Sequence, residues 1–301
     1  MTVTGEILFK GAKALFIQNE QWKAVITLRG SKMVSLLDKI SGRELLLQSK
    51  SDMLLQGGYD TDYNAVDVCG FDEMFPTIDA CFCEAPPWEG TRLPDHGEVW
   101  DLDWDCAAVG DCIQAQVHGV RLPYALTKSI YFSSDTVLRI DYNLQNLSPF
   151  DMDFVWAAHA MFAMEGNSAV LLPEGCNSGI LASSYDGLLG TFGDRIELQN
   201  ILKINRPNEK YMDKFYINGA VPDGCCGVTY PADRSVYRMR FSTETVPYLG
   251  VLISKGLHIG NCVILEPCTG VFDRPDRAKA FGKNSVLEAK SSYHWYLEFS
   301  K

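Results

Sequence analysis

Apolar and polar residues alternate with a period of two along much of this chain. Leu138, Ile140, Tyr142 and Leu144 fall on one side of a stretch whose other side is Val137, Arg139, Asp141 and Asn143. Near the end, Tyr293, Trp295, Leu297 and Phe299 alternate with His294, Tyr296 and Glu298. Successive side chains of a strand point to opposite faces, so this pattern predicts half-buried β-strands. Four opening strands are expected over 6–9, 13–18, 22–28 and 33–37, separated by turns at Gly11, Asn19-Glu20 and Arg29-Gly30. Further strands are expected over 112–118, 125–132, 136–144, 153–162, 195–204, 215–217, 227–230, 236–242, 250–253, 262–266 and 293–299. Helical windows are scarce. A short surface helix is expected over 274–281, with Pro275 tolerated at its start and Gly282 ending it. Many strands joined by turns predict an all-β antiparallel sandwich rather than a doubly wound sheet.

Residues 49–104 break the pattern. They are dense in Asp, Gly, Pro and aromatic residues, and alternation fades. Tyr59, Tyr63, Phe71, Phe75, Trp88 and Trp100 carry too much apolar area to stay wet, so the expectation is an ordered rim around a site. No repeat and no Pro/Gly-rich linker divides the sequence, which favours one domain over 1–301.

With 38 acidic against 27 basic residues, the formal net charge is -11, the wrong sign for a phosphate-backbone binder. No apolar run approaches the ~20 residues needed to span a bilayer, and residues 1–10 lack the apolar stretch of a secretory signal. The ten cysteines do not form paired ligand spacings. Reduced, mostly buried thiols and a cytoplasmic location are expected, without nucleic-acid or membrane partners. Oligomeric state, monomer or homodimer, is left open. Asp60, Asp62 and Asp67 lack the spacing of a calcium hand, and turn capping is preferred to cation binding.

Three separated segments each place one proton-handling residue among apolar neighbours. They are Pro94-Asp95-His96-Gly97-Glu98-Val99-Trp100, the run Phe154 to Phe162 around His159, and Val263-Ile264-Leu265-Glu266-Pro267. Histidine, with an ordinary pKa near ~6.5, donates or accepts at neutral pH, and an enclosed glutamate becomes a useful base. A polar group in an apolar strand needs a partner or a task. Two imidazoles and a carboxylate suit acid–base work on an uncharged polyol or sugar, without metal or redox cofactor.

Gly70-Phe71-Asp72-Glu73-Met74-Phe75-Pro76-Thr77-Ile78 followed by the His96 segment resembles a bacterial branch of the aldose 1-epimerase, or galactose mutarotase-like, family. The His159 and Glu266 segments resemble that family's second histidine strand and its base-carrying strand, in the same order and across most of the chain. The resemblance implies an antiparallel β-supersandwich whose open face holds a sugar. It implies Glu266 as base toward the anomeric hydroxyl, His159 as acid toward the ring oxygen and His96 as the substrate-orienting or ring-oxygen partner. It also implies Asp213 as a ligand of sugar hydroxyls. In place of the family's usual Asn-Arg segment stands Gln56-Gly57-Gly58-Tyr59-Asp60-Thr61-Asp62-Tyr63-Asn64, which leaves the sugar unassigned.

Around these residues, Asp72, Glu73 and Arg92 are candidates for substrate binding; the alternatives are that Asp72 or Glu73 caps a turn or pairs with Arg92 across the rim, and Arg92 bears on substrate charge. Trp88, Trp100, Tyr124 and Phe162 are candidates for stacking on a pyranose or for packing. The leading expectation is anomer interconversion of an aldose or modified aldose. The alternatives are a non-catalytic carbohydrate-binding protein on the same scaffold, or a glycoside hydrolase or lyase. Hydrolysis would need two carboxylates about 5–5.5 or 6.5–9.5 Å apart; Glu266 with Asp213 is the conceivable pair.

Overall fold

In the computed structural model, which describes residues 1–202, 210–257 and 259–301, antiparallel strands dominate. Among the described residues they form a twelve-stranded sheet and an eight-stranded sheet, with two small two-stranded pairs beside them. The larger sheet opens with the consecutive strands Val3–Phe9, Ala12–Gln18, Trp22–Thr27 and Met33–Asp38. It continues through Phe71–Met74, Ala157–Ala163, Gly260–Cys268, Tyr248–Leu257, Tyr211–Ile217, Ser178–Ser184 and Arg195–Glu197, while Arg43–Glu44 pairs off this path. The smaller sheet has Ser292–Ser300 and Val137–Asn146 at its centre, the two stretches whose alternation is clearest in the sequence.

The core lies between the sheets. Phe71, Phe162, Phe215, Val251 and Leu265 from the larger sheet meet Leu126, Ile140, Tyr142, Trp295 and Leu297 from the smaller one. Each of these inward residues is followed by one that points the other way, and in the central strands that second face is buried too. Phe71–Met74 is buried at all four positions, and Ala157–Ala163 at all but the last. A strand covered on both faces shows no polar alternation. This explains why Phe71–Met74 was not expected from the pattern.

The expected strand over 153–162 is broken in two: Met152–Phe154 pairs with Ser285–Leu287, and the chain rejoins the large sheet at Ala157. The strand expected over 195–204 ends at Glu197 and passes into a single 3-10 turn, Leu198–Asn200; residues 203–204 of it lie outside the described residues. The helix is Pro275–Ala280, with Pro275 in its first turn as expected. All ten cysteines are free thiols, five of them buried and five partly exposed.

Candidate functional site

One row of residues crosses the middle of the larger sheet on the face turned away from the smaller sheet. Asp72 pairs with His159 on the neighbouring strand. The register Ala157↔Cys268 and Ala160↔Leu265 sets Glu266 directly across from His159 on the next strand. Gly250 is opposite Glu266, and Tyr216 is opposite Gly250. Facing residues in adjacent antiparallel strands have Cβ atoms about 4.5–5.5 Å apart. Thus a carboxylate, an imidazole and a second carboxylate lie side by side. Gly250 leaves room within the row: a Cβ there would come within 2.9 Å of Glu266 Oε2 and 3.1 Å of the Tyr216 ring.

His159 is held through one nitrogen. Its Nδ1 lies 2.9 Å from Asp72 Oδ1 and 3.0 Å from the Tyr63 hydroxyl, which is 3.2 Å from Asp72 Oδ2. With Nδ1–H and the phenol both donating to Asp72, Nε2 is left without a hydrogen-bond partner among the described residues. Lys32 Nζ lies 3.2 Å from Asp72 Oδ2. Burial would raise the Asp72 pKa, but the Lys32 charge and the His159 hydrogen bond outweigh it and hold this carboxyl well below the ordinary range. Burial and the neighbouring Asp72 charge push the Tyr63 phenol well upward, so it remains a donor.

His96 comes from a loop with a demanding backbone. His96 and Gly97 have φ of 59° and 73°, and a Cβ on Gly97 would sit 2.2 Å from the carbonyl oxygen of Phe75. Only glycine fits at position 97. On either side, His96 N donates to Ile78 O at 2.6 Å and Glu98 N donates to Phe75 O at 2.7 Å. Glu98 is a buried anchor: its carboxylate accepts from the Tyr59 hydroxyl (2.6 Å), the Arg121 amide (2.8 Å) and the Tyr124 hydroxyl (3.0 Å). His96 Nδ1 lies 2.9 Å from Asp95 Oδ2, leaving its Nε2, like that of His159, without a hydrogen-bond partner among the described residues. The ring stacks on Tyr63 at 3.8 Å between centroids with 1° between planes, and stands 5.5 Å from the His159 ring. Trp100 closes the cage edge-on to Tyr63 at 4.9 Å.

Glu266 is 1% exposed, and its neighbour is a lysine. Lys214 Nζ lies 2.9 Å from Glu266 Oε2 and 2.7 Å from Asp273 Oδ1. The contact with Glu266 is an ion pair with poor hydrogen-bond direction. Tyr216 donates to the same Asp273 oxygen at 2.6 Å. Burial would lower the Lys214 pKa, yet the Asp273 and Glu266 charges outweigh it and keep the ammonium protonated. The turn carrying Asp273 is tied to the His96 side of the site, because its carbonyl accepts from the Ile78 and Asp79 amides at 2.9 and 2.8 Å.

The structure brings His96, His159, Asp72 and Glu266 together and places the remaining candidates elsewhere. Glu73 follows Asp72 and therefore points to the opposite face. There it spans the inter-sheet core, with both oxygens 2.8 Å from Lys128 Nζ and one 2.8 Å from the Tyr142 hydroxyl. Asp213 likewise alternates with Lys214 and Tyr216, on the side of Tyr211, Phe215 and Ile217 that packs into the core. It cannot meet a sugar beside Glu266, nor form with it the carboxylate pair of a hydrolase. Arg92 is compensated by Asp60 at 2.5 Å instead of pairing with Asp72 or Glu73. Trp88 lines a different cavity of about 230 Å³, with Cys81, Cys83, Leu93 and Met152, that none of Asp72, His96, His159 or Glu266 borders. Phe162 and Tyr124 are core residues. Asp62 caps the short turn Tyr63–Ala65, and Asp67 accepts from the Leu55 amide. Sequence reasoning missed Lys32, Lys214 and Asp273, and read Tyr63 only as apolar bulk. The available signal was period two itself: Lys214 and Tyr216 share a strand face that excludes Asp213.

No family model and no curated protein matches the sequence. Solved structures do. The Slr1438 protein of Synechocystis sp. PCC 6803 superposes with a TM-score of 0.70 at 16% identity, covering 99% of this chain and 95% of its own. A galactose mutarotase-like protein from Lactobacillus casei gives 0.69 at 16% identity, over 95% of this chain and 99% of that one. Another from Clostridium acetobutylicum gives 0.70 at 15% identity, over 99% and 97%. At these identities the likeness is one of architecture: the chain has the all-β, antiparallel galactose mutarotase-like fold.

Proposed function

We propose that the protein is an aldose 1-epimerase that interconverts the α and β anomers of an aldose by acid–base ring opening and reclosure. The observation that carries this reading is the placement of His159 and Glu266 opposite each other on adjacent strands, with His159 fixed through Nδ1. Opening a cyclic hemiacetal takes a proton from the anomeric hydroxyl and delivers one to the ring oxygen. In this reading Glu266 accepts the hydroxyl proton, and protonated His159 gives its Nε2 proton to the ring oxygen. The bond between C1 and the ring oxygen breaks, leaving an open-chain aldehyde. Rotation about C1–C2 presents the other carbonyl face, and the same two groups, now with reversed protonation, reclose the ring. Each well-placed acid or base supplies about 10²–10⁴-fold. Asp72 keeps the His159 ring oriented. His96, stacked on Tyr63 and held by Asp95, orients the sugar through Nε2.

The test is anomer exchange by saturation-transfer NMR across neutral, phosphorylated and sulfonated aldoses. Acceleration of one class supports the reading and names the substrate; calorimetric sugar binding without acceleration replaces it with a carbohydrate-binding role.

A further inference from the structure

The site contains a lysine that, taken alone, opposes the proposed chemistry. An ammonium 2.9 Å from a carboxylate favours its ionised form and makes it a poor proton acceptor. Lys214 is 12% exposed in its side chain, so solvent does little to weaken this effect. The same ammonium is 2.7 Å from Asp273, whose Oδ1 also accepts from Tyr216. Counting formal charges over Glu266, Lys214 and Asp273 gives one net negative charge before proton uptake and none after it. A buried cluster resists net charge. Asp273 therefore offsets the effect of the lysine: proton uptake by Glu266 discharges the group, and the ammonium keeps a counter-ion while Glu266 is neutral.

Resting on the mutarotase reading, we propose that Lys214 and Asp273 are positioning residues that set the proton affinity of Glu266 in opposite directions, so that it is ionised at rest yet able to take the anomeric proton. The other groups around it fit this assignment. Tyr216 supplies a neutral donor to Asp273, and Gly250 opposite Glu266 adds no side chain. His159 lies across the strand pair, with Tyr63 beyond it, and both are committed to Asp72. Cys268 shares the Glu266 face of the strand and is fully buried, its thiol pushed up by burial first and by the Glu266 charge second. Asp79 donates its amide to the Asp273 carbonyl, and its carboxyl feels the Asp273 charge, with Lys214 and Arg277 opposing it.

The test compares the acid limb of the exchange-rate profile in the parent with that in K214M, K214R, D273N and Y216F, alongside each variant's thermal midpoint. Removing the lysine leaves two carboxylates facing each other, so K214M moves the acid limb to higher pH by about one to three units. Removing the Asp273 charge leaves Glu266 with the lysine alone, so D273N moves it to lower pH and lowers the plateau rate. K214R leaves it in place. Y216F, the mildest change, removes only a donor to Asp273 and moves the limb slightly in the K214M direction, which keeps the test available if K214M or D273N does not fold. Shifts of the same sign in K214M and D273N, or no shift in any variant, overturn the proposal. Carbon-13 carboxyl titrations of glutamate-labelled protein, with the Glu266 signal assigned by its loss in E266Q, read the same opposed shifts without turnover. They separate failure of this proposal from failure of the mutarotase reading.

Discussion

At the scale of single residues, the site consists of two imidazoles fixed by carboxylates and one carboxylate fixed by a lysine. Asp72 does for His159 what Asp95 does for His96: each engages Nδ1 and leaves Nε2 available. Orientation of this kind typically affects function by about 10–100-fold at comparable supporting positions in metal sites, and a loss of that size is expected here for D72N. H159A removes the proposed acid itself, so exchange should fall by at least about 100-fold while sugar affinity by calorimetry changes little. Equal losses of turnover and affinity in H159A would make His159 a binding group instead. The Asp72 contacts also carry a pH signature. Because the folded carboxyl is held below its ordinary range, its contribution to stability is complete above about pH 4. It is lost as pH falls toward the folded value, and D72N should flatten that part of the acid-unfolding curve.

At the scale of elements, the site depends on two loops and one gap. G97A puts a Cβ into the Phe75 carbonyl in addition to an unfavourable positive φ, which alone costs about 1–2 kcal/mol. A lower urea midpoint together with lost exchange is the expected result. G250A has no such backbone penalty, but its methyl would crowd Glu266 Oε2 and Tyr216. Exchange should drop while the thermal midpoint moves by only a few degrees, since exchange and circular dichroism read different consequences of the same methyl. Element scale is also where the sequence was most and least legible. Val137–Asn146 and Ser292–Ser300 each have one wet and one dry face, so their alternation reveals them. Phe71–Met74 is dry on both faces, and nothing local distinguishes the side of Asp72 from that of Glu73. Only register across to His159 does that. His159 and Glu266 were legible because each is a polar residue in an apolar run, and His96 because of the motif around it. Lys214 and Asp273 were not, because their meaning comes from strand alternation and from a turn some sixty residues later in the chain.

At the scale of the whole molecule, a buried charge pair adds to the apolar packing between the two sheets. Lys128 from the smaller sheet reaches Glu73 in the larger, directly behind Asp72. Burial would raise Glu73, with the Lys128 charge opposing it; the net direction is upward, so the pair is held together at a desolvation cost. K128M strands a buried carboxylate, and a loss of about 3–5 kcal/mol in urea unfolding is expected. The pair faces away from the site, so exchange by the folded protein at low temperature should survive that substitution. The arrangement separates two roles: the inner face holds the sheets together, and in the proposed function the outer face of the same strands presents His159 and Glu266 to one sugar. That division is the central claim, and E266Q tests it most directly. The amide preserves the shape of Glu266 but cannot take the anomeric proton, so saturation-transfer NMR should find acceleration by the parent, near-background exchange with E266Q, and unchanged folding by circular dichroism. Undiminished exchange in folded E266Q would contradict the account.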